Sequence, residues 1–67
     1  MQVEEHHKEA VIHFELAANF YKKAQEYHMA GEYEKSSYEA QKARAHHKMA
    51  EFHISEVAKL NIMKSTT

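Results

Sequence analysis

A single glycine governs this chain. Gly31 falls near the middle of 67 residues that contain no proline, and it is the only strong helix breaker among them. The residues on either side are chiefly helix formers, Ala, Glu, Lys, Gln and Met. The sequence therefore predicts an all-α fold, an antiparallel two-helix hairpin forming one domain over 1–67. Helix 1 is expected over about 3–29, a turn over about 30–32, and helix 2 over about 33–62. A frayed polar tail is expected over 63–67.

The apolar pattern is helical throughout. Val3, Ala10, Ala17 and Ala24 recur every seven residues. Beside them run His6, His13, Phe20 and Tyr27, followed by His7, Phe14, Tyr21 and His28. On the second helix, Ser36, Ala43, Ala50 and Val57 interleave with a row read as Tyr33, Ala40, His47 and Ile54. This is the spacing of a coiled-coil-like seam, with alanines allowing close approach of the axes. No stretch alternates apolar with polar residues long enough for a strand. The tyrosines Tyr21, Tyr27, Tyr33 and Tyr38 are expected to pack around the closed end.

Val11, Ile12, Leu16, Ala18, Met49, Phe52 and Leu60 fall off that seam. Two helices cannot cover them with their own atoms, and exposed apolar residues on a second helical face usually mark a partner surface. A chain this short also buries little surface alone. The hairpin is therefore expected to pair into a four-helix bundle or larger helical assembly. Val11, Ile12, Leu16, Met49 and Phe52 are the candidate interface. The expected partner is a second copy, with another helical protein as the alternative.

Charge and composition narrow the function. Nine basic residues against ten acidic ones leave a formal charge of −1. That speaks against nucleic acid as a partner, which requires a basic stripe. Cysteine is absent, so disulfides and thiolate metal sites are excluded. No apolar run approaches a membrane span, and Met1 to Glu5 is acidic where a signal peptide is basic, so a cytoplasmic setting is expected.

Seven histidines are the chemical signal. His6-His7-Lys8-Glu9-Ala10-Val11-Ile12-His13 repeats as His46-His47-Lys48-Met49-Ala50-Glu51-Phe52-His53, the pattern HHKxAxxH. With the turn at Gly31, residue 13 lies opposite residue 50, and residue 53 opposite residue 10. The two copies then run side by side about a pseudo-two-fold axis, with His13 and His53 separated by roughly 5 Å along the axis.

Phe20, Tyr21, Ala24 and Tyr27, then Gly31-Glu32-Tyr33 and Ala43, stand at spacings that resemble a single tetratricopeptide repeat over Ala17–His47. Ser36 replaces that family's usual alanine, Lys48 stands where its closing proline would be, and no second unit follows. The resemblance implies a helical hairpin with a protein-contact role. It does not imply the peptide groove that several stacked repeats build. The chain also resembles small histidine-rich bacterial helical proteins of unknown function.

Imidazoles and a carboxylate on facing helices can ligate zinc, copper, nickel or iron. The best-placed set is His13 and His53 with Glu9 four residues before His13, and with His6 and His46 along the flanking row. A bis-histidine haem is a further option, with Ala10, Ala17 and Ala50 leaving space. Adjacent pairs such as His6-His7 diverge by about 100° and cannot share one ion. The spacing Glu-x-x-His occurs once, at Glu4 and His7. The same histidines also read as hydrogen-bonded polar rims of an alanine seam, or as a pH-responsive interface. No nucleophile and base can be matched, so no enzyme is expected. The leading expectation is a self-associating assembly module requiring no cofactor; the alternative is a transition-metal-binding helical bundle.

Overall fold

Helix α1 (Val3–Met29) starts at Gln2, which is extended at φ −84°, ψ 165° and donates its backbone N–H to the Glu5 carboxylate at 3.1 Å. Glu4 and Glu5 in the first turn also suit the positive end of the helix dipole. The helix stops at Gly31, whose φ of 79° is left-handed backbone that glycine adopts without strain. Two nested hydrogen bonds close this end. Glu32 N–H reaches the Tyr27 carbonyl at 2.9 Å, and Gly31 N–H reaches that of His28 at 3.0 Å, the Schellman arrangement.

Helix α2 (Tyr33–Ser65) begins immediately, as Ser36 N–H bonds the Glu32 carbonyl at 3.0 Å. Glu32 also pairs with Lys35 at 3.1 Å, and mainly through this hydrogen bond holds the exposed ammonium's pKa above its ordinary value. The Ser36 hydroxyl then donates across the hairpin to the Ala24 carbonyl at 2.7 Å, fixing the register beside the turn.

In this computed structural model, residues 1–65 are described and form a rod of 55 × 14 × 13 Å. The expected boundaries of α1 and the turn match those observed. Helix α2 runs three residues past the expected end at Ile62, because no glycine or proline interrupts it there. Thr66 and Thr67 of the expected tail lie outside the described residues. Among the described residues there is no strand, and no helix is long and apolar enough to cross a membrane.

The seam is built from small side chains. Its buried apolar members are Ala10, Ala17 and Ala24 from α1, with Ala43, Ala50 and Val57 from α2. Ala43 and Ala50 have no exposed surface at all, so this is where the helices approach most tightly. Two of the expected α1 rows line the seam, with Val3, His6, His13, Phe20 and Tyr27 buried or half-buried between the alanines, whereas the third, His7, Phe14, Tyr21 and His28, is exposed.

The second row of α2 differs from the expectation. The residues alternating with Ser36, Ala43, Ala50 and Val57 are Glu39, His46, His53 and Leu60. Tyr33, His47 and Ile54 are exposed, and Ala40 is only half-buried. The expected row lies on the wrong side of the alanine stripe, and following it loses Glu39, a carboxylate in a core position. The tyrosine cluster is also corrected. Only Tyr27 is part of the seam, while Tyr21, Tyr33 and Tyr38 stand exposed.

Candidate functional site

Four histidines fill consecutive positions of the seam, two from each helix. His6 and His13 share a row of α1, and His46 and His53 share a row of α2, each pair seven residues apart. His6 Nδ1 lies 2.9 Å from His53 Nδ1, and His13 Nδ1 lies 2.9 Å from His46 Nδ1. The rings of His13 and His53 are also nearly parallel, 8° apart with centroids 6.1 Å apart. The result is a zigzag across the hairpin in the order His6, His53, His13, His46. Phe20 continues it by stacking on His46 at 5.5 Å, and Lys42 Nζ caps Phe20 at 4.7 Å from the ring centre.

The HHKxAxxH repeat explains the regularity. Exchanging its two copies turns His6 into His46 and His13 into His53. The two 2.9 Å contacts are therefore one contact seen twice about an approximate two-fold axis, and the His13–His53 stack lies across that axis. His13 fits between His46 and His53, one turn to either side of Ala50, as the register read from the sequence requires.

Each Nδ1–Nδ1 contact demands one donor and one acceptor. In the uncharged pair, one ring carries its proton on Nδ1 and the other on Nε2. The contact thereby sets the tautomers of two rings at once.

One carboxylate joins the group. Glu9 lies one turn before His13, with an oxygen 3.9 Å from His13 Nε2. Glu9, His13 and His53 each offer one ligand atom, all within 4.8 Å of one another, and all three residues are half-buried. The five candidate ligands thus meet in one place, but not equivalently. His6 and His46 stand behind His53 and His13, bonded to their Nδ1 atoms.

The other histidines lie elsewhere. His7 is exposed, His28 packs edge-on to Tyr33 at 5.0 Å, and His47 pairs with Glu51 at 2.7 Å. Ala10, Ala17 and Ala50, the residues offered as room for a planar cofactor, are buried in the seam. The Ser36 hydroxyl is engaged by the Ala24 carbonyl, not by a base.

The candidate interface residues remain on the outside. Val11, Ile12, Met49 and Phe52 are exposed and Leu16 is half-buried. At 100° per residue, Ile12 and Leu16 fall on the flank of α1 that carries Glu9. Met49 and Phe52 fall on the matching flank of α2, where Phe52 meets the edges of His53 at 5.2 Å and His6 at 6.5 Å. Val11 lies on the opposite flank, in the sector of Phe14, whose ring meets His47 at 5.8 Å.

Sequence reasoning missed Glu39. Its Oε1 accepts from Lys42 Nζ at 3.1 Å, while Oε2 is buried without a hydrogen-bond partner. Its position seven residues before His46 was the available signal. Compared with protein-family models, curated proteins and solved structures, the chain matches none.

Proposed function

We propose that this protein is a self-associating α-helical module, whose hairpins pair into a four-helix bundle or larger assembly and which serves as a protein-contact unit in the cytoplasm. The observation that carries this reading is the mismatch between what the hairpin buries and what it leaves outside. Among the described residues, the apolar core consists of five alanines and one valine, and no large side chain is fully buried. Phe52, Met49 and Ile12, on one flank, meanwhile remain 56%, 47% and 40% exposed. Covering a Phe or Met side chain is worth about 1.5–3 kcal/mol, far more than burying an alanine methyl contributes. A second hairpin on this flank supplies the missing core.

The flank bearing Ile12, Leu16, Met49 and Phe52 is the docking face in this reading. Its charges suit a copy running in the opposite direction. Glu9 and Glu56 lie toward the open end, and Lys23 and Lys42 toward the turn. An antiparallel mate centred on the apolar residues sets carboxylates against ammonium groups at both ends.

Sedimentation equilibrium of untagged, metal-free protein tests the reading. It predicts a mass of at least two chains at micromolar concentration, reduced toward one chain in Ile12→Ser with Phe52→Ser. A helical, monomeric wild-type protein at those concentrations contradicts it.

A further inference from the structure

We propose that Glu9, His13 and His53 bind one borderline divalent ion, of the zinc, nickel, copper or iron(II) class, between the two helices, with His6 and His46 orienting the two histidine ligands. The site takes all its ligands from a single chain, so its formation does not depend on the self-association proposed above, although Glu9 lies on the same flank as the docking face.

The argument begins with the donors. Glu9 and His13 are four residues apart on α1, a spacing that puts both side chains on one face of the helix. His53 reaches the same point from α2. Their ligand atoms lie within 4.8 Å of one another. Donors on one tetrahedral ion stand roughly 3.4 Å apart, given bonds of about 2.0–2.2 Å, so side-chain rotation of about 1 Å closes the site without moving a helix. Two neutral imidazoles and one carboxylate make a donor set that suits borderline divalent ions over calcium or magnesium, which prefer oxygen alone.

The second argument is the role of the other two rings. Nδ1 of His13 is engaged by His46 Nδ1, and Nδ1 of His53 by His6 Nδ1, both at 2.9 Å. Each ligand ring thus keeps Nε2 for the ion, and His13 Nε2 is already the atom nearest Glu9. With Nε2 on the metal, Nδ1 carries the proton and donates it to the ring behind. A metal-bound histidine ordinarily has just such an acceptor, which fixes its tautomer and raises its basicity. His6 and His46 are therefore positioning residues, which changes the role expected of them as ligands.

The third argument is the broken symmetry. The pseudo-two-fold axis that exchanges His13 and His53 exchanges Glu9 with Met49. Only one half of the repeat contributes a carboxylate, so the protein supplies three hard or borderline donors and leaves a coordination position for water or a small ligand.

Calorimetric titration of Zn(II) into folded, untagged protein at pH 7.5, repeated with Co(II) and read by visible absorption, tests the site. The expected stoichiometry is one ion per chain. Glu9→Gln should weaken binding at least tenfold with helicity unchanged, and His13→Ala with His53→Ala should abolish it. His46→Ala keeps every ligand and should weaken binding about 10–100-fold. His7→Ala with His28→Ala, outside the cluster, should leave it unchanged. If the double histidine variant loses its helicity, Glu9→Gln decides the matter, because Glu9 stands at the edge of the seam. No uptake by the folded wild-type protein, one ion per two chains, or equal affinity in wild type and Glu9→Gln would each overturn the proposal.

Discussion

His13 Nδ1 lies 2.9 Å from His46 Nδ1, a hydrogen bond between two imidazoles that exists only while one of the two nitrogens lacks a proton. The same bond joins His6 and His53. Both lie inside the seam, so the tautomers of these rings and the docking of the helices are set together.

Each inter-ring bond should contribute to stability. His46→Ala leaves His13 Nδ1 without its partner inside the seam, at a cost of about 1 kcal/mol or more. His7→Ala, on the exposed side of α1, should change stability far less. Thermal denaturation followed by circular dichroism at fixed protein concentration checks the difference. Equal midpoints for wild type and His46→Ala would contradict the paired rings.

Close approach of the helices at Ala50 leaves no room for growth. Ala50→Leu should force the axes apart or drive the side chain off its rotamer, at a cost of about 1–3 kcal/mol. Ala58→Leu, on the exposed side of the same helix, should change stability far less. Urea denaturation of the two variants checks the difference, and a similar midpoint for both would show that the alanine seam is not tightly packed.

Much of this architecture was legible because it depends on backbone and volume. Gly31 stands out as the turn because no other residue tolerates left-handed backbone so readily. The heptad of alanines marks the seam, and the turn at Gly31 sets His13 against Ala50 and brings the two HHKxAxxH copies side by side. The second row of α2 was misread because apolarity guided the choice. Tyr33, His47 and Ile54 look like core residues, whereas a carboxylate at 39 looks like surface. Phase relative to Ala43 and Ala50 outweighs side-chain character in a seam this narrow. The five clustered residues Glu9, His6, His13, His46 and His53 were foreseeable from helical spacing, but their division into two layers depends on ring orientations that no sequence pattern encodes.

Glu39 is the weak point of the seam. It is 9% exposed, and one of its two oxygens has no partner. Glu39→Met retains the volume, removes the unpaired oxygen and leaves Lys42 over the Phe20 and Tyr38 rings. A buried unpaired acceptor costs about 1–3 kcal/mol, part of which the Lys42 ion pair offsets, so the variant should be more stable by about 1 kcal/mol. Thermal denaturation at matched concentration checks this. A lower midpoint would mean that the carboxylate is satisfied in solution.

The dependence of folding on protein concentration tests the central claim most directly. Helicity should be followed against temperature from about 1 to 100 µM in the presence of a chelator, since a state stabilised by its own copies gains stability by mass action. If thin hairpins are completed by one another, the midpoint climbs by several degrees across that range and helix content drops at the dilute end. A midpoint and helix content that stay constant through the whole series would contradict the account.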